Sequence, residues 1–510
     1  AINQYIFNMK KVILGASALL FSGALFAQLP TQGSLTDQNG TTSVDAQVAV
    51  DHAGGNGNMG EAIQTGNTNK LQVMQAGTNQ SSYSVQADGL GTGDNRARIW
   101  QTGEVSAASG EGNAADVRQM GSGNQSTSYQ EGDFNEAVTR QGMKDGGASG
   151  GNKALIHHGT GQQGEMNYAM IEQDGQTNSA TTVQQYDNNQ ARTIQEGDNN
   201  IAGVYQNSGP NGSDGNTALA EQYGDSNVTM MDQDGSRNTA HSNQLGDLNV
   251  ANQIQTGDDN WALADQGGDV DPISSFGDTQ AGLDNYLNVL TDAGYTNGTD
   301  NTGQGSTNGR ALQVQDGNAN SGYIGQWGDS SEDSDYAEQN QTGDNNGAFI
   351  AQNAHGSTTG GANYGRQDQT GDVNLAVLGQ NGRNHKAYQR QFGDNNTVAS
   401  SQKGDSNLVS TYQSGDGNVA LTGQRGLANQ TLIVQKSGIA DGSGHSFQAS
   451  QNLADGMANG GNTISVLQLG PNGDLMTEGE NCDFQDMETL VTPGTPADFN
   501  LDAPCGAGGC

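Results

Sequence analysis

Gln402, Gln413 and Gln424 recur at intervals of eleven residues, and so do Asn407, Asn418 and Asn429. A carboxamide carries donors and an acceptor on one short side chain, so a regular array of them can hydrogen-bond to itself. Other chemistry-bearing residues lack the spacings of a catalytic site. No H-E-x-x-H, G-x-S-x-G, phosphate-loop or dinucleotide motif occurs, and no arrangement of Ser, His and Asp singles out a triad. No enzyme, cofactor or resident metal is expected. His158, His385 and His445 take positions otherwise held by amides. They could be metal ligands, but an imidazole also offers one donor and one acceptor, and replacement of an amide is the favoured reading. The acidic G-D-x-N segments invite a calcium reading. The G-G-x-G-x-D pattern of calcium solenoids is absent, so plain turns are favoured. Trp100, Trp261 and Trp327 fall on the outward face or in a loop, where isolated aromatics are usually incidental.

The amides belong to a unit, N-x-A-x-x-x-Q followed by x-G-x-x, found 31 times between Asn58 and Gln468, including a degenerate "NYLNVLT" ending at Thr291. Extra residues enter only between a Gln and the next Asn, as after Gln86, Gln141, Gln206 and Gln352; the seven residues from Asn to Gln never change length. That segment is therefore the structural element and the gap is a loop. Fixed positions 1, 3, 5 and 7 have the period of a β-strand. They carry Asn, a small residue, a small or β-branched residue, and Gln. No Lys, Arg or Glu falls on them, which marks this face as buried. The opposite face is mixed and often charged: Arg96, Arg98, Glu136, Arg140, Asp232, Lys386, Arg390.

Gly and Asp or Asn in the loops suit chain reversal. The expected fold is all-β, a solenoid with two strands per 22-residue rung and about fifteen or sixteen rungs. Equivalent residues would stack ~4.8 Å apart, each amide bonding its own kind above and below. The core-ladder residues expected are Asn178, Gln184, Asn200, Gln206, Asn227, Gln233, Asn249, Gln255, Asn260, Gln266, Asn374, Gln380, Asn396, Gln402, Asn407, Gln413, Asn418, Gln424, Asn429 and Gln435.

Composition agrees with a thin polar core. Of 510 residues 78 are Gly, only 32% are hydrophobic, and the net charge is −37. The acidic balance argues against nucleic acid as a partner. "MKKVILGASALLFSGALFAQ", from Met9, has the lysines, short apolar run and small residue of a secretory signal. The expected division is an extension plus signal over 1–27, an N-terminal segment over 28–55, the repeat solenoid over 56–470, and a tail over 471–510 holding Cys482, Cys505 and Cys510. No membrane span is expected in the mature chain. "VDAQVAV" (Val44–Val50) alternates like a strand without amides and could be a partial cap.

"EQDGQTNSATTVQ" (Glu172–Gln184) and "TGDDNWALADQGG" (Thr256–Gly268) resemble the curlin repeat of bacterial curli-fibre subunits. The resemblance covers roughly residues 56–470. It implies a secreted functional amyloid subunit that leaves the cell unfolded through an outer-membrane channel. Such subunits polymerise on a surface-attached nucleator into an extracellular biofilm and adhesion matrix. The chain departs from the family in its larger number of rungs and its cysteine-bearing tail. A secreted, monomeric, end-capped solenoid adhesin is the alternative, and an enzyme built on a β-helix a distant third.

Overall fold

The computed structural model describes residues 58–470, apart from 78, 89–92, 103–111, 145–148, 160–163, 211–212, 268–304, 329–334, 353–360, 438–443 and 453–459. The expected signal, Val44–Val50, the "NYLNVLT" copy and the cysteine tail lie outside the described residues.

Among the described residues the regular structure is β-strand throughout, and no helix is long and apolar enough to cross a membrane. Each repeat makes one strand, beginning just after its Asn and ending at or just beyond its Gln: Ser179–Gln185 follows Asn178, and Leu408–Ser414 follows Asn407. Gly164–Glu165 is a two-residue addition pairing beyond the end of one repeat strand. Strands pair in parallel with the second strand along the chain, so that Gln184 lies beside Gln206 and Gln413 beside Gln435. Alternate strands therefore form two parallel sheets, and one rung is two strands and two arcs.

The described residues fall into two compact units. One holds the residues up to Gln222 together with Thr229–Ser236; the other holds Tyr223–Val228 and the residues from Arg237 onward. Seven rungs make the first unit and eight the second. Strand Val250–Thr256 pairs directly with Arg310–Asp316, and Trp261–Gln266 with Ser321–Gln326.

The arcs explain the G-D-x-N signature. At Gly257 φ is +105°, and a Cβ would lie 2.2 Å from the carbonyl oxygen of Gly317 in the next arc. Glycine is needed there for close stacking and for its dihedral. The following Asp serves the neighbouring arc: the Asp372 N–H donates to Asp394 Oδ1 at 2.9 Å. The third arc residue is left-handed, as at Asn395 (φ 58°) and Asp259 (φ 59°), before the next Asn opens a strand.

Alanine rows let the two sheets approach. In the second unit Ala251, Ala311, Ala337 and Ala387 pack with Ile324, Ile350 and Leu378. The opposite face departs from expectation in several places. Arg96, Arg98 and Lys386 are exposed, and Arg140, Asp232 and Arg390 half-buried, but Glu136 is buried. A row of register partners, Leu263, Tyr323, Phe349, Val377 and Ala399, is also buried together with Trp327. This outward-parity row is apolar, so parity alone did not fix its environment. Trp100 is half-buried, edge-on to Tyr129, and Trp261 packs against the buried row, so neither is an isolated exposed aromatic.

Candidate functional site: the amide rows and the open ends

All twenty expected ladder residues lie on the inner face, none more than 2% exposed. A strand's alternation places Asn and Gln of one copy on the same side, and the parallel register places copies in columns.

The glutamines behave as expected. Gln413 donates from Nε2 to Gln435 Oε1 at 2.9 Å and accepts at Oε1 from Gln391 at 3.0 Å. Its second Nε2 proton goes to the backbone carbonyl of Thr397, on the facing sheet, at 3.0 Å. Gln184 Nε2 donates likewise to Gln206 and to the Tyr168 carbonyl, and Gln424 Nε2 to Gln451 and to the Leu408 carbonyl. Each row thus ties rung to rung and sheet to sheet. A buried amide left unpaired costs roughly 1–3 kcal/mol, so the spacing is held strictly.

The asparagines work differently from the like-to-like ladder expected. Asn178 Oδ1 accepts the backbone N–H of Asn200 at 2.9 Å, and its Nδ2 donates to the carbonyl of Gly197 at 2.8 Å. Asn396 repeats this with the Asn418 backbone and Gly415. The shorter side chain reaches main chain, fastening each strand start to the next arc. Side-chain contact is added in some copies, as from Asn418 Nδ2 to Asn396 Oδ1 at 2.9 Å.

A third row was not foreseen. Gln253, Gln313, Gln339, Gln367 and Gln389, at the fifth position, form a side-chain chain with links of 2.8–3.0 Å. The signal was in the sequence: Gln fills that position in alternate copies only, which one averaged repeat conceals.

The histidines divide by column. His385, in an Asn column, accepts the Asn407 N–H on Nδ1 at 3.3 Å and donates from Nε2 to the Asn381 carbonyl at 3.1 Å. This requires the Nε2–H tautomer. His445 likewise lies within 3.1 Å of the Lys436 carbonyl. His158, in a Gln column, makes a poorer amide. Gln130 Nε2 lies 3.5 Å from its Nδ1, its Nε2 has no partner, and neither has Gln184 Oε1. Burial pushes His158 down to about 3, with the neighbouring His157 adding to the shift, and pushes His385 down to about 4. Both are neutral at pH 7. No cluster of metal-ligating residues occurs among the described residues.

Among the described residues the rows end in exposed strands. In the first strand, Met59–Thr65, every residue is exposed, and in Lys70–Ala76 none is buried. At the other end Thr463–Leu469 has no buried residue, and Ser446–Gln451 buries only Ala449 and Gln451. No protein-family profile matches the chain, and no curated protein matches it.

Proposed function

We propose that this chain is a secreted structural subunit, resembling curlin, that assembles end to end into extracellular amyloid-like fibres. Its work is mechanical, in surface adhesion and biofilm matrix, and needs neither a catalytic centre nor a cofactor. The principal partner is another copy of the chain. A nucleator subunit and an outer-membrane channel of the curli type complete the proposal, with export through a Gram-negative-type periplasm.

The observation that carries this reading is the exposure of both terminal rungs. Strand edges and amide rows that stop at solvent offer identical partners to a second copy. The net charge of −37, which apart from Asp335 lies off the inner face, opposes lateral clumping and favours thin fibres whose growth speeds up with salt.

Electron microscopy and dye binding of the purified protein, incubated across salt and pH, test the proposal. Thin, detergent-resistant fibres with a meridional repeat of ~4.8 Å are expected. A protein that stays monomeric at high concentration while keeping a folded β spectrum would defeat it and promote the capped adhesin.

A further inference from the structure

The two ends are not equivalent, and the difference selects how copies meet. Every glutamine link runs one way. Gln64 donates from Nε2 to Gln86 Oε1 at 2.6 Å, and Gln435 donates to Gln468 Oε1 at 2.7 Å. The first rung therefore presents acceptors, the Oε1 atoms of Gln64 and Gln75. The last presents donors, since Gln451 and Gln468 each use one Nε2 proton on a backbone carbonyl, Gln430 and Ser446. The asparagine side chains run oppositely: Asn58 and Asn69 Oδ1 accept the backbone N–H groups of Gln80 and Asn95 in the following rung, as Asn429 Oδ1 accepts that of Asn462.

Side-chain size differs too. The third repeat position holds alanine in most copies, yet in the last strand of one sheet it is Phe447, half-buried against Ala420 and Ala449. The first strand of the same sheet holds Gly60 there, exposed and without a side chain. Continuing the register Val419↔Ser446, Ala420↔Phe447, Gln424↔Gln451 by one strand sets Phe447 against the next copy's Gly60, and Gln451 against its Gln64. In the second sheet Ile464, Val466 and Gln468 meet Leu71, Val73 and Gln75. The last two strands, SFQASQ and TISVLQL, carry no charge, so neither sets a like charge against Glu61 or Lys70.

We propose, resting on the assembly reading above, that copies join head to tail, the Phe447 ring of one filling the space over Gly60 of the next. Donor rows then meet acceptor rows. Two like ends would have to pair their strands antiparallel, so that no glutamine row continues in its own column. A heterologous joint that repeats by translation gives an open, polar filament.

The test uses the full chain in seeded elongation, with circular dichroism to confirm folding. Gly60→Leu sets side chain against side chain at the joint and is expected to slow elongation about tenfold or more. Phe447→Ala empties the joint and is expected to raise the critical concentration. The double variant, Gly60→Leu with Phe447→Ala, is expected to recover a large part of the wild-type rate. Within its own chain a Cβ at Gly60 meets only the Ser82 hydroxyl and carbonyl oxygens, so should Gly60→Leu disturb the first rung, Phe447→Ala decides alone. Wild-type elongation by both single variants overturns the joint and leaves the assembly reading standing. Failure of the wild type to form fibres removes both.

Discussion

In the second unit both glutamine rows run unbroken, from Gln244 to Gln451 and from Gln255 to Gln468, with a third row beside them. In the first unit only the row from Gln64 to Gln195 and on to Gln222 is complete. The row facing it falters. Gln101 Oε1 has no partner, Gln130 reaches His158 only at 3.5 Å, and linking resumes at Gln184. Strands pair equally well in both places, so the backbone tolerates a faulty row. What changes is the number of buried polar atoms left unsatisfied, and that is a stability difference.

The largest effect is expected from a charge in the good row. Gln413→Lys places an unpaired ammonium among amides and should cost ~3–5 kcal/mol, measured by chemical denaturation. Lysine at half-buried Ser410, on the outward face, should cost under ~0.5 kcal/mol. Equal costs would undo the assignment of faces.

Acid should act next. His158 and His385 have folded values of about 3 and about 4, below the 6.5 of an unfolded histidine. The unfolded chain therefore takes up protons first. Stability from these sites is complete above about pH 6.5 and drains away as pH falls toward 4 and 3. A His158→Gln, His385→Asn double variant should flatten that part of the stability–pH curve; an unchanged slope between pH 6.5 and 4 would contradict it.

Repairing the faulty row is a smaller effect. His158→Gln supplies a donor to Gln184 Oε1 and should stabilise the protein by ~1 kcal/mol. His385→Asn exchanges one satisfied group for another and should stay within ~0.5 kcal/mol of wild type. If the two exchanges behave alike, the distinction between columns is wrong.

Much of this was legible in the sequence, because the fold repeats its own signal. Constant spacing from Asn to Gln gave strand boundaries, and exclusion of Lys, Arg and Glu gave the inner face. The Asn geometry was not legible, since a column of identical amides looks the same whether it bonds to side chains or to main chain. The Gln253–Gln389 row was hidden because position five alternates between sheets: Gln on one, Ala264, Ile324, Ile350 and Leu378 on the other. The burial of Glu136 and of the Leu263–Ala399 row was illegible for another reason. A repeat predicts what its own rungs cover and says nothing of what else lies against them.

That buried amide rows hold the rungs together is tested most directly by side-chain hydrogen exchange. With glutamine amides labelled, the Nε2 protons of Gln391, Gln413 and Gln435 should exchange orders of magnitude more slowly than those of exposed Gln64. Gln130, bordering His158, should fall between them. Exchange of Gln413 at the rate of a free glutamine, in a protein that keeps its β spectrum, would contradict the account.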